Sequence, residues 1–264
     1  DISKAERGYR LFDANSYSVA AQPAELTAEM PLDDAFAAVA WQLLGNSQRL
    51  AEQYRFNGHW KLLEQWLQQL VSLRAVLASL GQAVPRASSS ALRAQLDALI
   101  DDWRVRILAG ADDQDVREAT PVEFANELNN TRWGLLSLQM AVWLQGTQWQ
   151  QKRTARGARQ GAAALENWLL QFLKEEAQAL QVNRYMRQPE DLVEQTPRIE
   201  RLLAWLQAAR YITDLVDSDR LFGVLRELHQ LALQPLDAEA LVARRDVLGT
   251  VLTLNAWKQL MRAV

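Results

Sequence analysis

Trp60–Arg86 reads WKLLEQWLQQLVSLRAVLASLGQAVPR, and its spacing decides the fold class. Trp60, Leu63, Leu67, Leu70, Leu77 and Leu80 recur three or four apart, as one face of a helix requires. Gly81 and Val84-Pro85-Arg86 end the segment. Arg74 follows Leu70 by four and precedes Leu77 by three, so it lies on or beside the apolar face. A cation there needs a partner. Either it snorkels to the surface or meets a carboxylate, or it lines an anion-holding cleft between helices.

Outward from this helix the same period repeats. A helix from Pro31 to about Phe56 carries Leu32, Phe36, Val39, Leu43 and Leu50, and Asn57-Gly58 breaks it. Ser88 to Ser90 offer an N-cap for a third helix to about Leu108, with Leu92, Leu96, Leu99 and Trp103 on one face. Gly110 to Glu118 reads as an acidic loop. Thr120-Pro121 starts a fourth helix to about Leu144, with Phe124, Leu128, Leu135, Leu138 and Val142 along it, and Gly134 inside it marks close helix packing.

Gln145 to Gly161 reads as a connection between two halves. Its basic residues, Lys152, Arg153, Arg156 and Arg159, read as a solvated face. A fifth helix follows to about Leu180, with Leu165, Leu169, Phe172 and Leu173. The sixth runs from Thr196-Pro197 to Val216, the seventh from Asp219 to Leu233, and the eighth from an Asp237 cap to the end. No strand pattern stands out after residue 12. The expected architecture is all-α, about eight long helices in two four-helix bundles packed side by side. Residues 1–12 read as the tail of a preceding unit, 13–30 as a linker, and 31–264 as the helical domain, with halves at about 31–146 and 154–264.

Composition narrows the chemistry. The chain has 264 residues and no cysteine, which excludes disulfides and thiolate metal sites and fits a reducing cytoplasm. His59 and His229 are its two histidines, and nothing in the sequence brings them together as a metal site. No apolar run is long enough to span a bilayer. The first residue is Asp1, not methionine, so a fragment of a longer protein is expected. Net charge is −3, which argues against a general nucleic-acid binder. The 29 basic residues divide into 24 arginines and 5 lysines, a bias toward the planar fork that suits phosphate.

Phosphate-loop, dinucleotide and nucleophile-elbow patterns are absent. The paired acids Asp33-Asp34, Asp101-Asp102, Asp112-Asp113 and Glu175-Glu176 read as structural or solvated. No catalytic residue is assigned, and no metal ligand. The arginines on apolar-leaning faces remain. Arg210 follows Leu203 and Leu206 by seven and four, Arg198 and Arg201 share its helix, and Arg93 follows Leu92 on the third. If these converge, they make a cationic pocket for a polyanion; otherwise each forms its own salt bridge.

Short motifs carry a family resemblance. Ser3-Lys4-Ala5-Glu6-Arg7-Gly8-Tyr9 resembles the closing segment of a CYTH domain, and the rest resembles the helical CHAD domain that follows it in bacterial CYTH–CHAD inorganic triphosphatases. Gly81 with Val84-Pro85-Arg86 and the serines after it is the closest local match. Leu73-Arg74 followed by Leu77 resembles the first basic helix of CHAD domains, and Arg210-Tyr211 the Arg-Tyr of the second. The family's denser basic series and histidines are absent around both; Gln69, Val71 and Ser72 surround Arg74 here. The resemblance implies Arg74 and Arg210 as anion-binding residues, with Arg86 next. Arg93, Arg198 and Arg201 rest on helix-face reasoning alone.

The resemblance further implies an accessory module that binds inorganic polyphosphate or another polyanion and breaks no bond itself. A magnesium or other divalent ion would belong to the catalytic neighbour. Expected partners are the CYTH domain of the same chain and, beyond it, a homodimer mate; no membrane is expected. The alternative is a scaffold or dimerisation unit for the triphosphatase domain, with no ligand of its own.

Overall fold

The computed structural model describes residues 24–111, 131–150 and 153–262. The expectations for residues 1–12, for the start of the linker, for the acidic loop beyond Ala111 and for the Thr120-Pro121 cap lie outside them. Among the described residues there is no strand, and eight helices have thirteen residues or more. In chain order the helices are α1 (Leu32–Asn57), α2 (Trp60–Ser79), α3 (Arg86–Ala111), α4 (Thr131–Gln145), α5 (Ala155–Gly161), α6 (Leu165–Leu180), α7 (Val182–Tyr185), α8 (Thr196–Ala208), α9 (Ser218–Leu233), α10 (Ala238–Thr253) and α11 (Asn255–Met261). Two 3-10 turns, Gln148–Gln150 and Pro189–Gln195, join them.

The chain forms two compact units. Among described residues, the first uses Ala40–Arg74 and the described part of Val84–Lys152; the second uses Ala24–Val39, Ala75–Ala83 and Arg153 onward. The units thus interleave along the sequence rather than dividing it once near residue 150.

The core of the first unit is built on tryptophan. Trp66 is wholly buried and meets the edges of Trp103 at 5.1 Å and Trp133 at 5.6 Å. Edge-to-face contacts of this kind add to plain area burial. Leu96, Leu99, Leu136 and Met140 close around them as α4 packs on α3. The Trp143 indole donates to the Ser88 carbonyl at 3.1 Å, which removes the cost of burying its N–H.

Helix α4 does not use the expected face. Leu135, Leu138 and Val142 are exposed, while Trp133, Leu136, Met140 and Trp143 turn inward. Two stripes of helical period share this helix, and the larger aromatic surface takes the core. Among the described residues nothing lies within 4 Å of a Cβ added at Gly134, so none of them packs closely there.

In the second unit α6 packs on α8, α8 on α9, and α9 on α10, with α11 against α6. Leu169, Leu173, Trp205, Leu225, Leu228 and Leu248 fill its centre. Asp237 caps α10, accepting from Ala240 N at 2.7 Å. The chain before α1 is pinned here as well: Leu32 N donates to Ala163 O at 2.9 Å and Leu165 N to Met30 O at 2.8 Å, around an antiparallel bridge of Pro31 with Ala164.

Three expected boundaries shift. Helix α3 begins at Arg86, so Ser88 lies in its first turn and donates to Pro85 O at 2.7 Å instead of capping. The sixth expected helix ends at Ala208, well short of Val216. The eighth breaks at Leu254, whose extended backbone separates α10 from α11.

Candidate anion-binding site

The six arginines singled out in the sequence fall in both units. In the first unit Arg74 leaves α2 with its side chain 19% exposed and meets Asp97 of α3 at 3.5 Å. Arg93 stands one helical turn before Asp97, and Arg86 two turns before Arg93. Residues three or four apart share a helix face. Arg93 is held below the ordinary arginine range by burial first and by the nearby Arg86 cation second, while Asp97 acts in the opposite sense. Arg74 and Arg93 therefore stand beside Asp97, and Arg86 lies two turns before Arg93 on α3. Arg86 is exposed at the outer end of the group.

In the second unit Arg198 and Arg201, on α8, converge on Glu176 of α6. Arg201 grips it through Nε at 3.1 Å and Nη2 at 2.8 Å, and Arg198 adds a contact at 3.5 Å. Glu176 is 14% exposed, so this is a partly buried fork that ties two helices. Arg210 does not lean inward. Helix α8 has ended before it, so the helical spacing that would have turned it to the core no longer applies. It is exposed, 3.5 Å from Asp219, and lies over the Tyr211 ring at 4.8 Å.

The connection read as a solvated basic face holds the more specific structure. Arg153 is not solvated. It donates to both oxygens of Asp33 at 2.6 Å and to the Ala83 carbonyl at 2.7 Å. The residues after it form α5, capped by Thr154, whose hydroxyl accepts from Gly157 N at 3.1 Å. Gly157 lies against the Gln82 carbonyl and Gly161 against the Asp33 carboxylate, each too close for a Cβ. Arg156 and Arg159 stay exposed and line a cleft of about 660 Å³ with the Gly81-Gln82 turn and one stripe of α6. Its one sequence signal was the glycines between the arginines, which permit the close approach.

Two other buried polar side chains have partners that the sequence did not reveal. His229 meets Glu200 at 3.2 Å inside the second unit. Arg244, 2% exposed, donates to the carbonyls of Leu231, Ala232, Gln234 and Pro189 at 3.0, 3.4, 3.1 and 3.1 Å. It thereby satisfies the open C-terminus of α9. Among the described residues no group of three or more histidines, aspartates or glutamates could hold a metal ion. No described helix is long and apolar enough to cross a membrane.

Comparison with solved structures finds the crystal structure of the CHAD domain from the plant Ricinus communis, with a TM-score of 0.52 over 95% of this chain and 98% of that one, at 19% identity. The chain therefore has an all-α, CHAD-like fold. No protein-family model and no curated protein matches the sequence.

Proposed function

We propose that this chain is a non-catalytic helical module that holds inorganic polyphosphate or another phosphate-rich anion beside a triphosphatase-like domain. The observation that carries the reading is the placing of Arg74 and Arg93 at Asp97, with Arg86 two turns before Arg93 on α3. Arginine forks suit phosphate oxygens, and several forks on one face can share a chain of them. Long-chain polyphosphate titrated into the chain at low salt should bind, and more weakly at moderate salt as screening grows. Arg74→Ala, Arg86→Ala, Arg93→Ala together should abolish that binding, while Arg210→Ala should leave most of it. No binding at low salt would sink the proposal.

A scaffold role is the second reading, favoured by the Arg198–Glu176–Arg201 fork, which uses two of the candidate cations as a strut between helices. On that reading Arg201→Ala lowers stability and no variant changes anion binding, because there is none to change.

A further inference from the structure

The cleft beside α5 is a second cationic site, and it does not rest on the polyphosphate reading. Its cation wall is placed by buried contacts. Arg153 ties the start of α5 to Asp33 and Ala83, Gly157 seats its middle on the Gln82 carbonyl, and Gly161 seats its end on the Asp33 carboxylate. With that side of the helix fixed, Arg156 and Arg159, three apart, point to the same free side. Neither has a carboxylate partner among the described residues, unlike Arg153, Arg198, Arg201 and Arg210.

The facing wall has different chemistry. Trp168, Gln171 and Glu175 recur along α6 at intervals of three and four, so one stripe of that helix lines the cleft. Trp168 is stacked on Phe172 at 4.9 Å and braced edge-on by Trp205 at 4.7 Å, which fixes its ring. Gln171 donates to Glu175 at 2.7 Å, and Gln82 and Gln160 add amide donors and acceptors. Two arginines against one glutamate leave the cleft cationic. A fixed aromatic ring and three amides suit a planar group with polar edges.

We infer that this cleft binds a small phosphorylated compound carrying a planar ring, with the phosphate on Arg156 and Arg159 and the ring against the Trp168 side. A nucleoside phosphate is the simplest member of that class. It is distinct from a linear polyphosphate, which offers nothing to an aromatic wall.

Calorimetry on the full 264-residue chain tests it, with ADP, adenosine and pyrophosphate as probes. ADP should bind best, and adenosine and pyrophosphate each at least about tenfold more weakly, since each lacks one half of the match. Arg156→Ala with Arg159→Ala should weaken ADP by about tenfold or more. Both side chains are exposed, so an unchanged melting curve is expected of the variant. Three results overturn the inference: no ADP binding at millimolar concentration, pyrophosphate binding as tightly as ADP, or equal ADP affinity in the folded double variant. None of them bears on polyphosphate binding through Arg74, Arg86 and Arg93.

Discussion

Arg153 and Asp33 lie 120 positions apart and meet through two parallel hydrogen bonds of 2.6 Å, with side chains only 9% and 17% exposed. A fork this well shielded is costly to break from one side, because the surviving charge stays buried and unpaired. Asp33→Asn or Arg153→Met should each lower unfolding free energy by about 3–5 kcal/mol in urea titration. Arg153→Lys should restore little, since an ammonium cannot span both oxygens and the Ala83 carbonyl. The combined Asp33→Leu, Arg153→Met variant should lose less than either single change.

The glycines of α5 give a steric test. Gly161→Ala pushes a methyl into the Asp33 carboxylate and Gly157→Ala one into the Gln82 carbonyl. Each should cost about 1–3 kcal/mol, read from the denaturation midpoint. Gly134→Ala is the internal control. It sits within α4 with nothing among the described residues near its added Cβ, so it should stabilise by about 0.5–1 kcal/mol.

The helices were legible wherever one apolar stripe stood alone. Leu32, Phe36, Val39, Leu43 and Leu50 on α1, and Leu92, Leu96, Leu99 and Trp103 on α3, are all buried as their spacing requires. The reading failed on α4, where Leu135, Leu138 and Val142 carry the same period as the tryptophan face and spacing alone cannot rank them. It failed at Arg210 because no glycine or proline marks the end of α8 after Ala208, so the face was carried two residues too far. Of the site, residue type was legible and pairing was not. Arg153 read as solvent-facing because Asp33, its partner, is a third to a half of the chain away, and spacing says nothing about contacts of that range. Arg198 and Arg201 both meet Glu176, an acid read from the sequence as structural or solvated with no partner named.

Arg244 provides a second stability test. Its guanidinium is buried among four carbonyls, and burial lowers its pKa. Arg244→Leu should cost about 3 kcal/mol in urea titration, because the end of α9 and Pro189 lose their donor at once. Arg244→Lys should recover only part, since one ammonium cannot reach a fan of acceptors.

Tyr54 should govern part of the alkaline limit. Burial raises its pKa from 10.0 to about 12, so the folded state holds the phenol neutral where the unfolded chain would ionise it. The sign follows from proton linkage. Its contribution is complete below pH 10.0 and is lost as pH rises toward about 12. Melting temperature should fall through that window, and Tyr54→Phe should flatten the fall while leaving the curve at neutral pH close to its original position.

The backbone strap that joins Met30 and Leu32 to Ala163 and Leu165 sets a timetable as well as a shape. On a ribosome the first segment of the second unit emerges long before the residues that hold it, and Asp33 must wait 120 positions for Arg153. The start of α1 leaves the exit tunnel early and is secured late. During that interval Leu32, Phe36 and Val39, all destined for full burial, are without their final neighbours. Synthesis runs from one end of the chain to the other, but completion of this protein waits on its second half.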